Sequence, residues 1–116
     1  MKNGEEPDVT DGACIILTPD GLAFTAGPAQ VIRWQLRWQD VVEIVAWKED
    51  LLTIDLLCLG FRVRGDADYL QCNEQQSGWS ELCAELKCRF QLRADWWSAV
   101  VFPPFQKNWN VLWGRP

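Results

Sequence analysis

The stretch Val31–Val63, VIRWQLRWQDVVEIVAWKEDLLTIDLLCLGFRV, carries three of the eight tryptophans and the longest apolar run of the chain. Ile32, Trp34, Leu36 and Trp38 alternate with Arg33, Gln35 and Arg37. A period of two puts one side of a strand in a core and the other in water. Gln39-Asp40 breaks the alternation, and Val42–Trp47 resumes it as a further strand. Lys48-Glu49-Asp50 reads as a charged turn, with Leu51–Leu59 as the next strand and Gly60 as a bend or bulge before Phe61–Val63.

Working outward, Cys14–Thr18 and Leu22–Thr25 flank Pro19-Asp20-Gly21, the strongest local hairpin signal in the chain. Gly27-Pro28 ends the second run, Gly65-Asp66 forms a turn, and Tyr69–Glu74 gives a sixth, short strand. From Gly78 the period changes. Trp79, Leu82, Cys83, Leu86 and Phe90 form one stripe on a helix, with Ser77 placed to cap it. Asp95 is placed to cap a short turn through Trp96-Trp97-Ser98, Pro103-Pro104 ends it, and Asn110–Trp113 reads as a last strand. Trp34, Leu36, Trp38, Ile54, Leu56, Leu82 and Leu86 are expected to share one core.

The chain of 116 residues is one domain's length, and its 48% hydrophobic and 23% charged residues can build a core without metal or disulfide. Residues 1–12 read as a flexible acidic leader and 13–116 as one globular domain, with barrel and helix at 13–90 and a C-terminal extension at 91–116. The net charge of −5 argues against nucleic acid and anionic membrane and favours a basic protein partner. Asp66–Glu85 holds five acids and no base, whereas Leu86–Pro116 holds five bases against Asp95 alone.

No histidine is present, so Ser-His and Cys-His catalysis lack their base and zinc lacks its commonest ligand. No phosphate-cradling glycine motif occurs. Asp50 and Asp55, five apart, would face opposite sides of a single strand and make a poor catalytic pair; Asp55 is expected to be satisfied by an arginine or a backbone N–H. No catalytic, cofactor or metal residue is therefore assigned. Cys14, Cys58, Cys72, Cys83 and Cys88 read as free thiols, with Cys58 and Cys83 buried. No apolar run follows Met1 and none is long enough to cross a bilayer, so a cytoplasmic protein is expected.

Six strands in series, the Pro-Asp-Gly hairpin, W-Q-D-V-V-E-I at Trp38–Ile44 and the helix at Gly78–Phe90 resemble a pleckstrin-homology-like fold from about Cys14 to Phe90. The resemblance implies a mostly-β α+β chain, a partly open barrel of six to seven antiparallel strands closed by one amphipathic helix, followed by a Trp-rich C-terminal extension. Six strands precede the helix where that fold has seven. Lipid-headgroup binding does not carry over, because the first hairpin loop is acidic. K-E-D-L-L-T-I-D-L-L-C-L at Lys48–Leu59 and F-P-P-F-Q-K-N at Phe102–Asn108 are similar to small uncharacterised bacterial proteins, some of which resemble immunity proteins for toxins.

Excess tryptophan and acidic charge favour a non-enzymatic protein-binding module, of immunity-protein type, that acts by occlusion. Its partner-binding residues are expected among Asp66, Asp68, Glu74, Trp96, Trp97 and Trp109. Two alternatives stand beside it. One is a homo-oligomeric assembly protein, built as a homodimer on an exposed edge or tail. The other is a small-molecule-binding or hydrolytic domain using Asp50, Asp55 or Asp95 in a Trp-lined pocket.

Overall fold

Alternation in the central stretch does build strands, and the computed structural model describes residues 12–50, 55–93, 95–101 and 109–115 of them and their neighbours. The order is β1 (Cys14–Leu17), β2 (Gly21–Ala26), β3 (Val31–Arg37), a 3-10 turn at Trp38–Asp40, β4 (Val41–Asp50), β5 (Asp55–Val63), β6 (Leu70–Asn73), α1 (Trp79–Phe90), α2 (Trp96–Val101) and β7 (Asn110–Gly114). Among the described residues the strands form two antiparallel sheets, β1-β2-β3 and β6-β5-β4-β7. This is a mostly-β α+β architecture with one main helix. The sheets do not close into a barrel, and β7 comes from the C-terminal extension, which is thus an edge strand of the larger sheet.

The main core lies between the sheets and under α1. Ile15, Leu22, Phe24, Leu36, Ile44, Leu59 and Phe61 meet Leu82 and Leu86 of the helix there. Trp38 and Leu36 are buried in it as expected, and Trp34 packs partly buried against it, stacked on Phe24 at 5.3 Å. Ile54 lies outside the described residues. Leu56 is buried but belongs to a second cluster, with Val45, Trp47 and Cys58, on the far side of the larger sheet. Ile32 also departs from the alternation and is 55% exposed. The cause is the bulge in β3: Trp34 pairs with Phe24 and Ile32 with Thr25, so Arg33 is the extra residue and the face is exchanged across it.

Several boundaries move for physical reasons. Lys48-Glu49-Asp50 is not a turn but the end of β4, paired with Leu57, Leu56 and Asp55. Asp50 and Asp55 therefore sit opposite each other on two strands. The register shift between β4 and β5 falls at Val41/Glu43, and Gly60 stays in the ladder opposite Val45. Ser77 does not cap α1. Its carbonyl accepts from the Ile15 amide at 2.7 Å, and Gly78, at φ 92, takes the N-cap position without a side-chain bond. A Cβ on Gly78 would stand 2.1 Å from the Ile15 carbonyl oxygen, so β1 can approach only a glycine there. At α2, Asp95 serves through its backbone carbonyl, which accepts from Ser98 N at 3.0 Å and from Ser98 Oγ at 2.9 Å.

The leader, apart from Gly12, lies outside the described residues. Gly12 O accepts from Gln30 Nε2 at 2.8 Å. No helix among the described residues is long and apolar enough to cross a membrane. Leu86 is fully buried beneath α1, so Leu86→Ala should lower stability by ~2–5 kcal/mol. Thermal unfolding of that variant checks it, and an unchanged midpoint would remove α1 from the core.

Candidate functional site

The larger sheet has two differently built faces, and the register decides which residue serves which. Ile44, Ala46 and Lys48 on β4 turn inward with Phe61, Leu59 and Leu57 of β5. Glu43, Val45, Trp47 and Glu49 turn outward with Arg62, Gly60, Cys58 and Leu56. Val45 pairs with Val111 and Ala46 with Asn110 of β7, so the same alternation brings Trp109 over Trp47. The two indoles stack at 5.3 Å and 20°, and Tyr69 meets Trp109 edge-on at 5.3 Å.

Gly60 makes this arrangement possible. A Cβ there would come within 2.9 Å of the Trp47 ring and 3.1 Å of Val45, so the bare backbone lets Trp47 lie across the sheet. Trp47 is thereby buried, while Trp109 above it is 50% exposed and Val111 beside it 57% exposed. A ring covered on one face by its stacking partner offers the other face outward.

Acids surround the platform. Trp47 Nε1 donates to Glu49 Oε1 at 2.8 Å. Glu43 accepts a very short hydrogen bond from Tyr69 Oη and pairs with Arg62 Nε at 3.2 Å. The Tyr69 bond, helped by Arg62, holds the Glu43 carboxyl below its usual range against the opposing effect of burial. The same bond, with burial, raises the Tyr69 phenol. Asp66 and Asp68 are exposed on the hairpin after β5, where Arg62 Nη1 reaches the Asp66 carbonyl at 3.5 Å.

The second surface is a cleft of about 430 Å³ between α1 and α2. Trp79, Cys83 and Lys87 line one wall from α1 at helical spacing, Trp96, Trp97 and Val101 the other from α2, and Leu57 and Glu74 also line it. Glu74 Oε2 accepts from Leu57 N at 2.7 Å, which ties the turn after β6 to β5. Arg93 also lines the cleft and is paired with Asp95 at 3.2 Å.

The six residues expected to bind a partner are thus divided. Trp109 lies on the outer sheet face, Asp66 and Asp68 are exposed on the hairpin after β5, and Glu74, Trp96 and Trp97 gather at the cleft. Trp47, Tyr69, Glu43, Glu49 and Trp79 were not singled out by the sequence. The alternation Glu43-Val45-Trp47-Glu49 was the available signal, since it puts an indole between two acids on one face. Of the acids considered for catalysis, Asp95 is exposed and ion-paired to Arg93, and Asp55 Oδ2 lies 3.5 Å from Lys48 Nζ. The carboxylate lining the Trp cleft is Glu74.

All five cysteines are free thiols. Cys58 is buried, but Cys83 is only partly so, and Cys72 is the other buried one. Burial, with the charge of Glu74, pushes the Cys83 thiol up to about 11, and burial raises Cys72 further. Both are neutral and unreactive at neutral pH. Among the described residues no cluster of three or more Cys, Asp or Glu is placed to hold a metal ion. Comparison of the chain with protein-family models, curated proteins and solved structures finds no match.

Gly60→Val should push Trp47 off the sheet, lower stability by ~1–3 kcal/mol and weaken the circular-dichroism couplet of the Trp47–Trp109 stack; an intact couplet would contradict the packing. A second expectation concerns Glu43. Its depressed pKa contributes stability that is present above its unfolded value and lost as pH falls through the folded one. Tyr69→Phe should raise the Glu43 titration, followed by carboxyl NMR, and flatten the acid limb of the stability curve, while Arg62 still holds the group partly down.

Proposed function

We propose that this chain is a non-enzymatic protein-binding module that occludes a basic partner, as an immunity protein neutralises a toxin, through the outer face of the β4 sheet. One observation carries the reading: Trp109, half exposed, is fixed on a buried Trp47 that bonds Glu49 and beside a Tyr69 that bonds Glu43, with Asp66 and Asp68 exposed on the hairpin after β5. A rigid indole with exposed Val111 beside it and acids around it matches the anatomy of an interface, with an apolar centre and a polar rim. Arg62 pairs with Glu43 and offsets its charge, while Glu49 stays bonded to Trp47. Tryptophan held in place loses little conformational freedom on binding, which suits it to be an anchor.

The pleckstrin-homology-like reading of the architecture rests on seven antiparallel strands in two sheets and on α1 over the core. The open sheets and the late place of β7 set it apart from a closed barrel. Free thiols suit a reducing cytoplasm.

Charge of one sign mainly speeds encounter, whereas a buried aromatic anchor mainly slows dissociation. With a partner isolated on the immobilised protein, Asp66→Lys/Asp68→Lys should lower the association rate and its salt sensitivity. Trp109→Ala should raise the dissociation rate, with a loss of ~2 kcal/mol or more. A partner whose binding neither variant alters would overturn this surface, and a turnover abolished by Asp55→Asn in folded protein would overturn the non-enzymatic reading.

A further inference from the structure

We infer that the cleft between α1 and α2 is a separate binding site, for a short apolar peptide with both termini free. It shares no lining residue with the sheet face. Its volume of about 430 Å³ falls within the range of small-ligand sites, roughly 300–1,000 Å³. Three indoles, Trp79, Trp96 and Trp97, supply an apolar interior, and the neutral Cys83 thiol adds to it.

The charges along the cleft say what the apolar ligand carries. Glu74 lines the cleft near Cys83, whose thiol feels its charge. It is exposed, so a carboxylate is presented there even though one of its oxygens accepts from Leu57. Lys87 and Arg93 line the cleft beyond Cys83 in the direction of the α1 C-terminus. Lys87 has no ion pair among the described residues, while Arg93 is shared with Asp95. Negative and positive groups therefore stand at different positions along one apolar slot. From Cys83 to Lys87 is about 6 Å of helix, at 1.5 Å per residue. Two residues of extended peptide span about 7 Å. Along α1, an ammonium terminus at the level of Cys83, on which Glu74 acts, and a carboxylate terminus at the level of Lys87 match that rise, with apolar side chains among the indoles. A purely anionic amphiphile would face Glu74, and a purely cationic one would face Lys87.

The cleft is also held open in advance. Lys48 Nζ donates to the carbonyl of Val101 at 2.8 Å, and Glu74 accepts from the amide of Leu57, the residue paired with Lys48 on β5. A site whose walls are fixed before binding loses less free energy to ordering.

The test is an indole-fluorescence titration with three matched probes: the dipeptide Phe-Leu, its N-acetyl form and its C-terminal amide. The free dipeptide should give a saturable change, and each blocked form should bind at least about threefold more weakly, the size of one partly exposed ion pair. Lys87→Met should abolish the penalty for amidation alone. Glu74→Gln, which keeps an acceptor for the Leu57 amide, should abolish the penalty for acetylation alone. Trp97→Ala should weaken all three probes, and Trp109→Ala should change none. Blocked peptides that bind as tightly as the free one, or no saturable change with any probe at millimolar concentration, would overturn the proposal. The wild-type comparison needs no variant to fold. It uses neither the sheet face nor a protein partner, so its failure leaves the proposed function standing.

Discussion

Lys48 is fully buried, and much of the structure depends on how it is satisfied. An ammonium taken from water costs several kcal/mol unless it is paired and hydrogen-bonded. Its place on the inward face of β4 is set by the alternation that also puts Trp47 and Glu49 outward. There it lies 3.5 Å from Asp55 on the neighbouring strand and donates to the carbonyl of Val101 at the end of α2. A cation at the C-terminal carbonyls of a helix is favoured by the dipole as well. One side chain thus joins β4, β5 and α2. Val100 enters the main core beside it, and Val101 forms part of the wall of the tryptophan cleft.

The larger sheet is consequently asymmetric in build. Its inner face is closed by the other sheet, by α1 and by α2. Its outer face carries only a small buried cluster, roofed by an indole that is half exposed. The hydrogen bonds from Trp47 to Glu49 and from Tyr69 to Glu43 hold the platform rigid while keeping its border negative. Part of the chain's acidic composition, Glu43 and Glu49, thereby lies beside a half-exposed indole.

How far the fold could be read from sequence follows from which interactions are local. The Pro-Asp-Gly hairpin and the α1 stripe are set by neighbours within a few residues, and both are present. Strand alternation was legible until a bulge exchanged faces at Arg33, which exposed Ile32; no local pattern marks an extra residue in a strand. Lys48 looked like part of a turn because the Val101 carbonyl that it bonds is 53 residues away in the chain. Gly60 looked like a bend because the Trp47 ring that needs its missing Cβ comes from another strand. At the candidate surfaces the residue types were legible, and six were named. Their division between a sheet face and a helical cleft was not, because pairing of β7 with β4 decides where Trp109 lies.

The claim that Lys48 secures α2 is open to one direct measurement, amide hydrogen exchange in Lys48→Met with the wild type alongside. Methionine keeps the apolar stem but removes both the bond to Val101 and the charge facing Asp55. The account predicts that the amides of Trp96–Val101 lose protection while those of the β1-β2-β3 sheet keep theirs. Equal protection of α2 in the two proteins would contradict it.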